Sequence, residues 1–425
     1  MAVVVKREDA DQFIKYAAEE NLEATVIADV TDTKRLVMKW RGTPIVDISR
    51  AFLDTNGAQQ VKSAHIAKPD EKGYFHPIAP ASIKDTWLSA MGDLNNCSQQ
   101  GLSERFDSTV GAGTVLMPFG GKYQKTPTDG MVAKFPVRKG ETDSASFMAH
   151  GFDPDLATWS PFHGAVYAVL LSVTRLVSMG ADWRKAYLTL QEYFEKLTDK
   201  TSWGKPAAAL LGAFHMQEAL GLGAIGGKDS MSGTFNDLHV PPTLVSFAIA
   251  PGKASEAVSQ ELKKEGDALV LFGMPKDKAG MPDIDVFKAH ADFLYNEVKA
   301  GHIAAMKAVG HGGVAVTAAK MAFGNGLGIH FTDNLPLPKF FSNFYGAIIV
   351  ETTPELAAEF TKQPHTKLLG TVGGDAMEAY GEKVSLADLL NAYEKTLDPI
   401  FPRRAKSIGK DNPVLPVSNP IPQFY

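Results

Sequence analysis

Apolar residues recur along this chain with two different periods, and the switches between them lay out its elements. Pro161–Met179 (PFHGAVYAVLLSVTRLVSM) is apolar on nearly every turn of a 3.6-residue period, which predicts a buried helix, and Lys205–Leu222 predicts a second. Asp267–Gly273 (DALVLFG) is a short unbroken apolar run and predicts a buried strand. Further helices are expected at Ser82–Met91, around Ala257 and Leu262, at His290–Lys299 and at Gly301–Val309. Residues 105–250, where short strands alternate with the two long helices, read as one α+β unit, and residues 251–400 as a second. Residues 58–104, with HIAKPDEKGYFHPIAP, read as a surface connector. Residues 401–425 combine Arg403, Arg404, Lys406 and Lys410 with Pro413, Pro416, Pro420 and Pro422, the composition of an extended linker tail.

The order of elements repeats. Residues 2–55 read as strand, amphipathic helix, strand, hairpin and short helix, and AIIVETTPELAAEFTKQPHTKLLGTVGGDAMEAYGEKVSLADLLNAYEKT near the end follows the same order. On this alignment Gly42 answers to Gly381 and Phe52 to Tyr393. If the repeat holds, residues 1–57 close a unit whose body lies elsewhere, and Met1 is an internal residue or an added start.

Composition narrows the function. The 425 residues carry a net charge of −5, so no general nucleic-acid or anionic-membrane surface is expected, and an anionic ligand must be held by local design. The single cysteine, Cys97, excludes an intrachain disulfide and fits a reducing cytoplasm. It sits in the polar stretch LNNCSQQGLSERF with no strand before it, which is not the setting of a glutaminase nucleophile. No run approaches the roughly 20 apolar residues of a membrane span.

Gly223–Gly233 (GAIGGKDSMSG) has the composition of a phosphate-binding turn. Gly226 and Gly227 would let the backbone approach an anion, Lys228 would supply charge, and Ser230 and Ser232 would supply hydroxyls beside Asp229. A solvated glycine-rich hairpin has the same composition. A second candidate is MPFGGKYQKTPTDG, Met117–Gly130, in which Gly120, Gly121 and Lys122 could meet a nucleotide and Asp129 could hold Mg²⁺, or could be a solvated turn aspartate.

GGKDSMSG followed by PPTLVSFA, together with RFDSTVGAGTVLMPFGGKYQKTPTDGMVAKFPV, resembles the second synthetase half of phosphoribosylformylglycinamidine synthase, in the aminoimidazole ribonucleotide synthetase superfamily. The resemblance covers nearly the whole chain. It implies an α+β fold: an N-type domain whose mixed sheet pairs with another into a barrel, then an α/β sandwich C-type domain, preceded by the end of another C-type domain. It also implies an ATP-dependent ligase of purine biosynthesis that takes formylglycinamide ribonucleotide and glutamine-derived ammonia, with ATP or ADP and magnesium as cofactors. Its partners would be a preceding synthetase half and a glutaminase domain. By this resemblance Lys228, Asp229, Ser230 and Ser232 line a phosphate site with Gly120, Gly121 and Lys122 opposite, and Asp129 ligates magnesium.

The chain departs from that pattern in two places. The Glu and Asn that the family places one helical turn apart correspond to Leu171 and Arg175, and its Asp-Gly-Gly motif has become Val309-Gly-His-Gly-Gly313. The nucleotide site of this half is therefore either degenerate or binds an anion directly through Arg175 and lysines, without metal. His150, His163 and His215 have no metal-ligand spacing and read as structural; His311, in its glycine turn, is a candidate phosphate contact. The fragment is expected to be inactive alone and to form a homodimer through about residues 110–250.

Overall fold

The computed structural model describes residues 1–55, 61–70, 73–75, 80 and 82–404, so the tail from residue 405 lies outside the described residues. Two compact units divide at Lys62/Ser63.

The first unit contains helix α1 (Ala10–Glu19), a hairpin of β1 (Arg35–Trp40) and β2 (Thr43–Ser49), and the short helix α2 (Arg50–Leu53). Its β1–β2 turn carries positive φ at both Arg41 and Gly42, the two-residue geometry that matches strand twist and favours glycine second. None of its described residues is buried. Val4, Tyr16, Ile27, Trp40, Ile45 and Phe52 are all exposed apolar side chains.

The second unit opens with α3 (Ile83–Gly92) and α4 (Gln100–Ser103). α3 is not the surface connector expected from its flanks. Ile83, Trp87 and Met91 recur one turn apart and are buried, and the Trp87 indole donates to the Ala315 carbonyl.

A six-stranded sheet follows, built from β3 (Thr114–Leu116), β6 (Gly130–Lys134), β7 (Ser144–Gly151), β8 (Tyr187–Tyr193), β9 (Ala224–Ser230) and β12 (Thr243–Lys253) in the order β3-β6-β7-β12-β8-β9. Small hairpins β4 (Phe119–Gly120) with β5 (Thr126–Pro127), and β10 (Thr234–Phe235) with β11 (Leu238–His239), lie between them in sequence. Helices α5 (Pro154–Trp159), α6 (Pro161–Ser178) and α7 (Lys200–Leu220) belong to this layer. Ser160 caps α6 by accepting from His163 N, with Pro161 at the first helical position where its missing N–H costs nothing. α6 is buried almost all round because it packs on β7 and β12 on one side and reaches residues of the Ala305–Ala308 strand and the Ile284–Lys299 helix of the next layer on the other. Only one face of the sheet takes these helices: Leu244, Ser246 and Ala248 are buried, and the Ser246 hydroxyl meets that of Ser172 on α6 at 3.0 Å. Met131, Met148 and Tyr187, on the other face, are exposed.

The second sheet has seven strands, β13 (Ala268–Phe272), β14 (Ala305–Ala308), β15 (Ile329–Phe331), β16 (Ile348–Thr352), β17 (Thr366–Val372), β18 (Ala376–Ala379) and β19 (Glu382–Ser385), in the order β14-β16-β13-β17-β15-β18-β19. With it go α8 (Ile284–Lys299), α9 (Gly313–Phe323), α10 (Leu337–Phe340), α11 (Pro354–Phe360) and α12 (Leu386–Lys395). Two expected helices are absent. Around Ala257–Leu262 the chain is irregular, and 305–308 form strand β14, because HIAAMKAV supplies a short apolar run that the sheet absorbs on both faces. No gap marks residue 250: β12 runs through it, and both sheets share one compact unit.

The repeat is visible in this second unit. β18 and β19 turn through Tyr380 and Gly381, both at positive φ, as β1 and β2 turn through Arg41 and Gly42. Ser49 caps α2 as Ser385 caps α12, each accepting from the N–H three residues on. Phe52 lies three residues past its cap and Tyr393 eight past, so those two do not correspond.

α3 and the end of this region are clasped together. The Glu382 carboxylate accepts from the N–H groups of Ile83 and Lys84, at 3.3 and 3.0 Å, and so caps the start of α3. Thr396 donates to the Gly92 carbonyl at the other end, at 2.8 Å.

Candidate functional site

Three cations from three elements converge around one buried carboxylate. Asp129 leads into β6 from the β4–β5 hairpin and is buried. Its Oδ1 accepts from Lys307 Nζ at 2.5 Å, and its Oδ2 from Ser178 Oγ at 2.7 Å and from the Ala308 N–H at 2.8 Å. Lys307, on β14, also donates to the Pro127 carbonyl at 2.7 Å. Both side chains of this ion pair are almost wholly out of water. Burial lowers the Lys307 pKa, while Asp129 pulls it back up.

Above this pair stand Arg175, one turn before Ser178 on α6, and Lys320 on α9. Arg175 donates to the His150 carbonyl at 2.7 Å, and burial together with Arg175 pushes the His150 pKa down to about 4, so that ring is neutral. Lys320 is pushed down to about 7 by burial first, then by Lys307 and Arg175. Its ammonium lies 5.7 Å from the Tyr393 ring centre. Among the described residues it has no hydrogen-bond acceptor, and neither it nor Arg175 has a carboxylate at ion-pair distance. Both lie deep in the protein body while keeping part of their surface open to solvent.

The residues do not fit a magnesium ion. Asp129 was expected as its ligand, but three of its four lone-pair sites are taken by an ammonium, a hydroxyl and a backbone N–H, and the ammonium holds its charge. Leu171, one turn before Arg175, is buried and apolar. Among the described residues no group of three or more His, Cys, Asp or Glu could hold a metal. His311 pairs through Nδ1 with Asn96 Nδ2 at 3.1 Å in the turn that opens α9. Cys97 is buried with its thiol toward the Leu94 carbonyl, and burial raises its pKa, which leaves it an inert thiol.

The glycine-lysine segment is not a turn. Gly226, Gly227, Lys228, Asp229 and Ser230 lie in β9, the edge strand, paired parallel with Thr189–Tyr193 of β8. Gly227 is required because a Cβ there would stand 2.1 Å from the Leu190 carbonyl oxygen. Lys228 rests 4.7 Å from the Tyr193 ring centre, a cation–π contact, and Ser232 follows the strand. Asp229 falls opposite Glu192, whose side chain is buried with Oε1 unpartnered. Burial, then Asp229, raises the Glu192 pKa to about 7.

Gly120, Gly121 and Lys122 do not face that segment within this chain. They pack on the end of α9: Gly121 sits at φ +86 where a Cβ would meet Gly324 at 2.3 Å, and Lys122 N–H donates to Asn325 Oδ1 at 2.8 Å. β9 is four strands from β6, roughly 19 Å. We expect Lys228→Ala to leave phosphate and nucleotide affinity within about twofold of wild type, read by calorimetry, since a surface cation–π contact contributes well under 1.4 kcal/mol; a tenfold loss would return the segment to the site.

No protein-family model matches the chain. Subunit PurL of phosphoribosylformylglycinamidine synthase from Thermoplasma acidophilum is 24% identical over 432 residues, covering 92% of this chain and 54% of that protein. The Pyrococcus furiosus PurL is 25% identical over 410 residues, 91% of this chain and 55% of that protein. This chain is similar to subunit PurL of phosphoribosylformylglycinamidine synthase. It spans about half the length of the curated relatives it matches. The PurL of T. maritima complexed with FGAR shares the fold, with a TM-score of 0.56 at 14% identity over 74% of this chain and 54% of that one, and the same protein complexed with ATP gives 0.55.

The lysines that define the site were missed by sequence reasoning, although the signal was present. Lys307 stands alone in the apolar run IAAMKAV and Lys320 alone in VAVTAAKMAF. A lysine that must be buried with its neighbours needs a partner or a purpose.

Proposed function

We propose that this chain is the second synthetase half of a phosphoribosylformylglycinamidine synthase and serves there as a scaffold that catalyses nothing by itself. In the whole enzyme ATP activates the amide oxygen of formylglycinamide ribonucleotide, and ammonia released from glutamine displaces the phosphate to give the amidine. The Lys307–Asp129 pair supports this reading for the chain: the carboxylate that the resemblance would give to magnesium is ion-paired with an ammonium. The bare face of the six-stranded sheet, with Met131, Met148 and Tyr187, would be covered by the matching sheet of the preceding half, or by a second copy in the isolated chain, giving a homodimer in sedimentation at micromolar concentration. No helix among the described residues is long and apolar enough to cross a membrane.

Purified chain supplied with formylglycinamide ribonucleotide, ATP, Mg²⁺ and ammonium should release ADP at the background rate. Steady turnover that depends on the ribonucleotide would sink the scaffold reading.

Residues 1–57 would close the C-type domain of that preceding half. In the second unit the corresponding hairpin and helix hold buried Met377, Val384, Leu389 and Tyr393, whereas here the apolar side chains are exposed. Removing residues 1–62 should lower fluorescence of a dye that binds exposed apolar surface and leave the main melting transition in place. An unchanged signal would mean that the first unit covers its own apolar face.

A further inference from the structure

The surface that clasps α3 has an exposed counterpart in the first unit. In the second unit α3 lies against α12 and β19, and Glu382, the residue after the Tyr380–Gly381 turn, caps its first N–H groups. On that hairpin Met377 and Val384 stand opposite each other at 0% and 1% exposure, and Leu389, four residues past the Ser385 cap, is buried too. Counted back from the turn glycine, Met38 takes the place of Met377. Its cross-strand partner Val46 takes that of Val384, one residue further on because the pairing shifts between Met38 and Lys39. Leu53 lies four residues past the Ser49 cap, as Leu389 does past Ser385. The same three residue types thus recur in the same three places, yet here Met38 is 51% and Leu53 39% exposed, and Val46 is half-buried.

A repeated apolar face calls for an occupant of the kind its twin holds. We propose that Met38, Val46 and Leu53 form a docking surface for an amphipathic helix of the α3 kind, with apolar side chains at i, i+4 and i+8, supplied by the preceding synthetase half. This rests on the reading of residues 1–57 as the close of that half. Charge sets how the helix differs from α3. Thr43 stands where Glu382 caps α3, and Lys39 and Arg41 stand in place of Glu378 and Tyr380. Asp47 is paired with Arg35 at 2.5 Å and Asp54 with Arg50 at 3.3 Å, so among the described residues Lys39 and Arg41 have no carboxylate at ion-pair distance. By the equivalence with Glu382 this turn meets the N-terminus of the docked helix, an end that is itself electropositive. Two cations there are favourable only if the first turn of the helix is acidic, so the occupant carries Asp or Glu in that turn.

Fluorescence polarisation tests this on the full chain. The probe is a labelled peptide with the sequence of residues 82–93, stapled to hold it helical, in its natural form and with Lys84→Glu to make the first turn acidic. The Lys84→Glu peptide should bind wild type more tightly than the natural one, and the gap should shrink at about 1 M salt, where charges are screened beyond about 3 Å. Met38→Lys and Leu53→Asp should each weaken its binding at least about tenfold, because each sets a charge in the apolar contact. Both positions are exposed, so the main melting transition should stay in place. Binding of neither peptide, or equal binding by wild type and both variants, would overturn the proposal. So would a homodimer that Met38→Lys alone converts to monomer in sedimentation, since the face would then belong to a second copy. Removal of residues 1–62 asks by dye fluorescence only whether the face is open. An open face that refuses both peptides therefore sinks this proposal and leaves the reading of residues 1–57 standing.

Discussion

Lys307→Met should destabilise the protein by about 3–5 kcal/mol, because it removes the one cation at ion-pair distance from the buried Asp129 carboxylate and leaves only the more distant Arg175 and Lys320 to answer its charge. Methionine fills the volume of the lysine stem, so the loss is electrostatic and not a cavity. Adding Asp129→Asn should recover a large part of it, since the neutral amide still accepts from Ser178 and the Ala308 N–H. Urea melts of the two single variants and the double variant form the cycle that checks this. Additive losses would mean that the pair does not act as a unit.

A second large effect lies at the edge of the first sheet. The Glu192 carboxyl has its pKa raised from 4.5 to about 7. The folded state therefore holds a proton that the unfolded chain releases, and stability falls as pH rises between those two values and levels off above the higher one. At about 1.4 kcal/mol per unit the loss is up to about 3 kcal/mol above neutrality. Glu192→Gln should erase this fall and be the more stable protein at about pH 8, with no advantage at about pH 4. Glu351 is shifted the same way, so the difference between wild type and variant, not the wild-type curve, isolates Glu192. Parallel curves for the two proteins would show that Glu192 is ionised in the fold.

The sequence made the long elements legible because their patterns are long: α6 and α7 carry five or more helical turns of consistent periodicity, and β13 is apolar throughout. It misjudged short apolar runs such as Ala305–Ala308, which periodicity cannot assign between strand and helix. The departure from the family at Leu171 and Arg175 is what led the sequence to be read as a degenerate or metal-free site, and in the structure Leu171 is a buried apolar side chain one turn before Arg175. The glycine-rich segment misled because small residues serve two needs. At Gly227 the need is to clear Leu190 across a strand pair, not to cradle a ligand. Lys307 and Lys320 went unseen because they come from β14 and α9, and nothing local to either tells that both point toward Asp129.

The clasp on α3 bears on how the chain reaches its fold during synthesis. Both ends of this helix are satisfied by residues about three hundred positions later, Glu382 at its start and Thr396 at its close, and Trp87 bonds to Ala315 in between. Such contacts close very long loops and belong among the last to form. About three hundred residues must therefore follow α3 out of the ribosome before it can settle, and until then Ile83, Trp87 and Met91 are apolar surface without a home. Nascent chains arrested ahead of α12 should be captured by chaperones and cut by protease near α3, and the released chain should resist both.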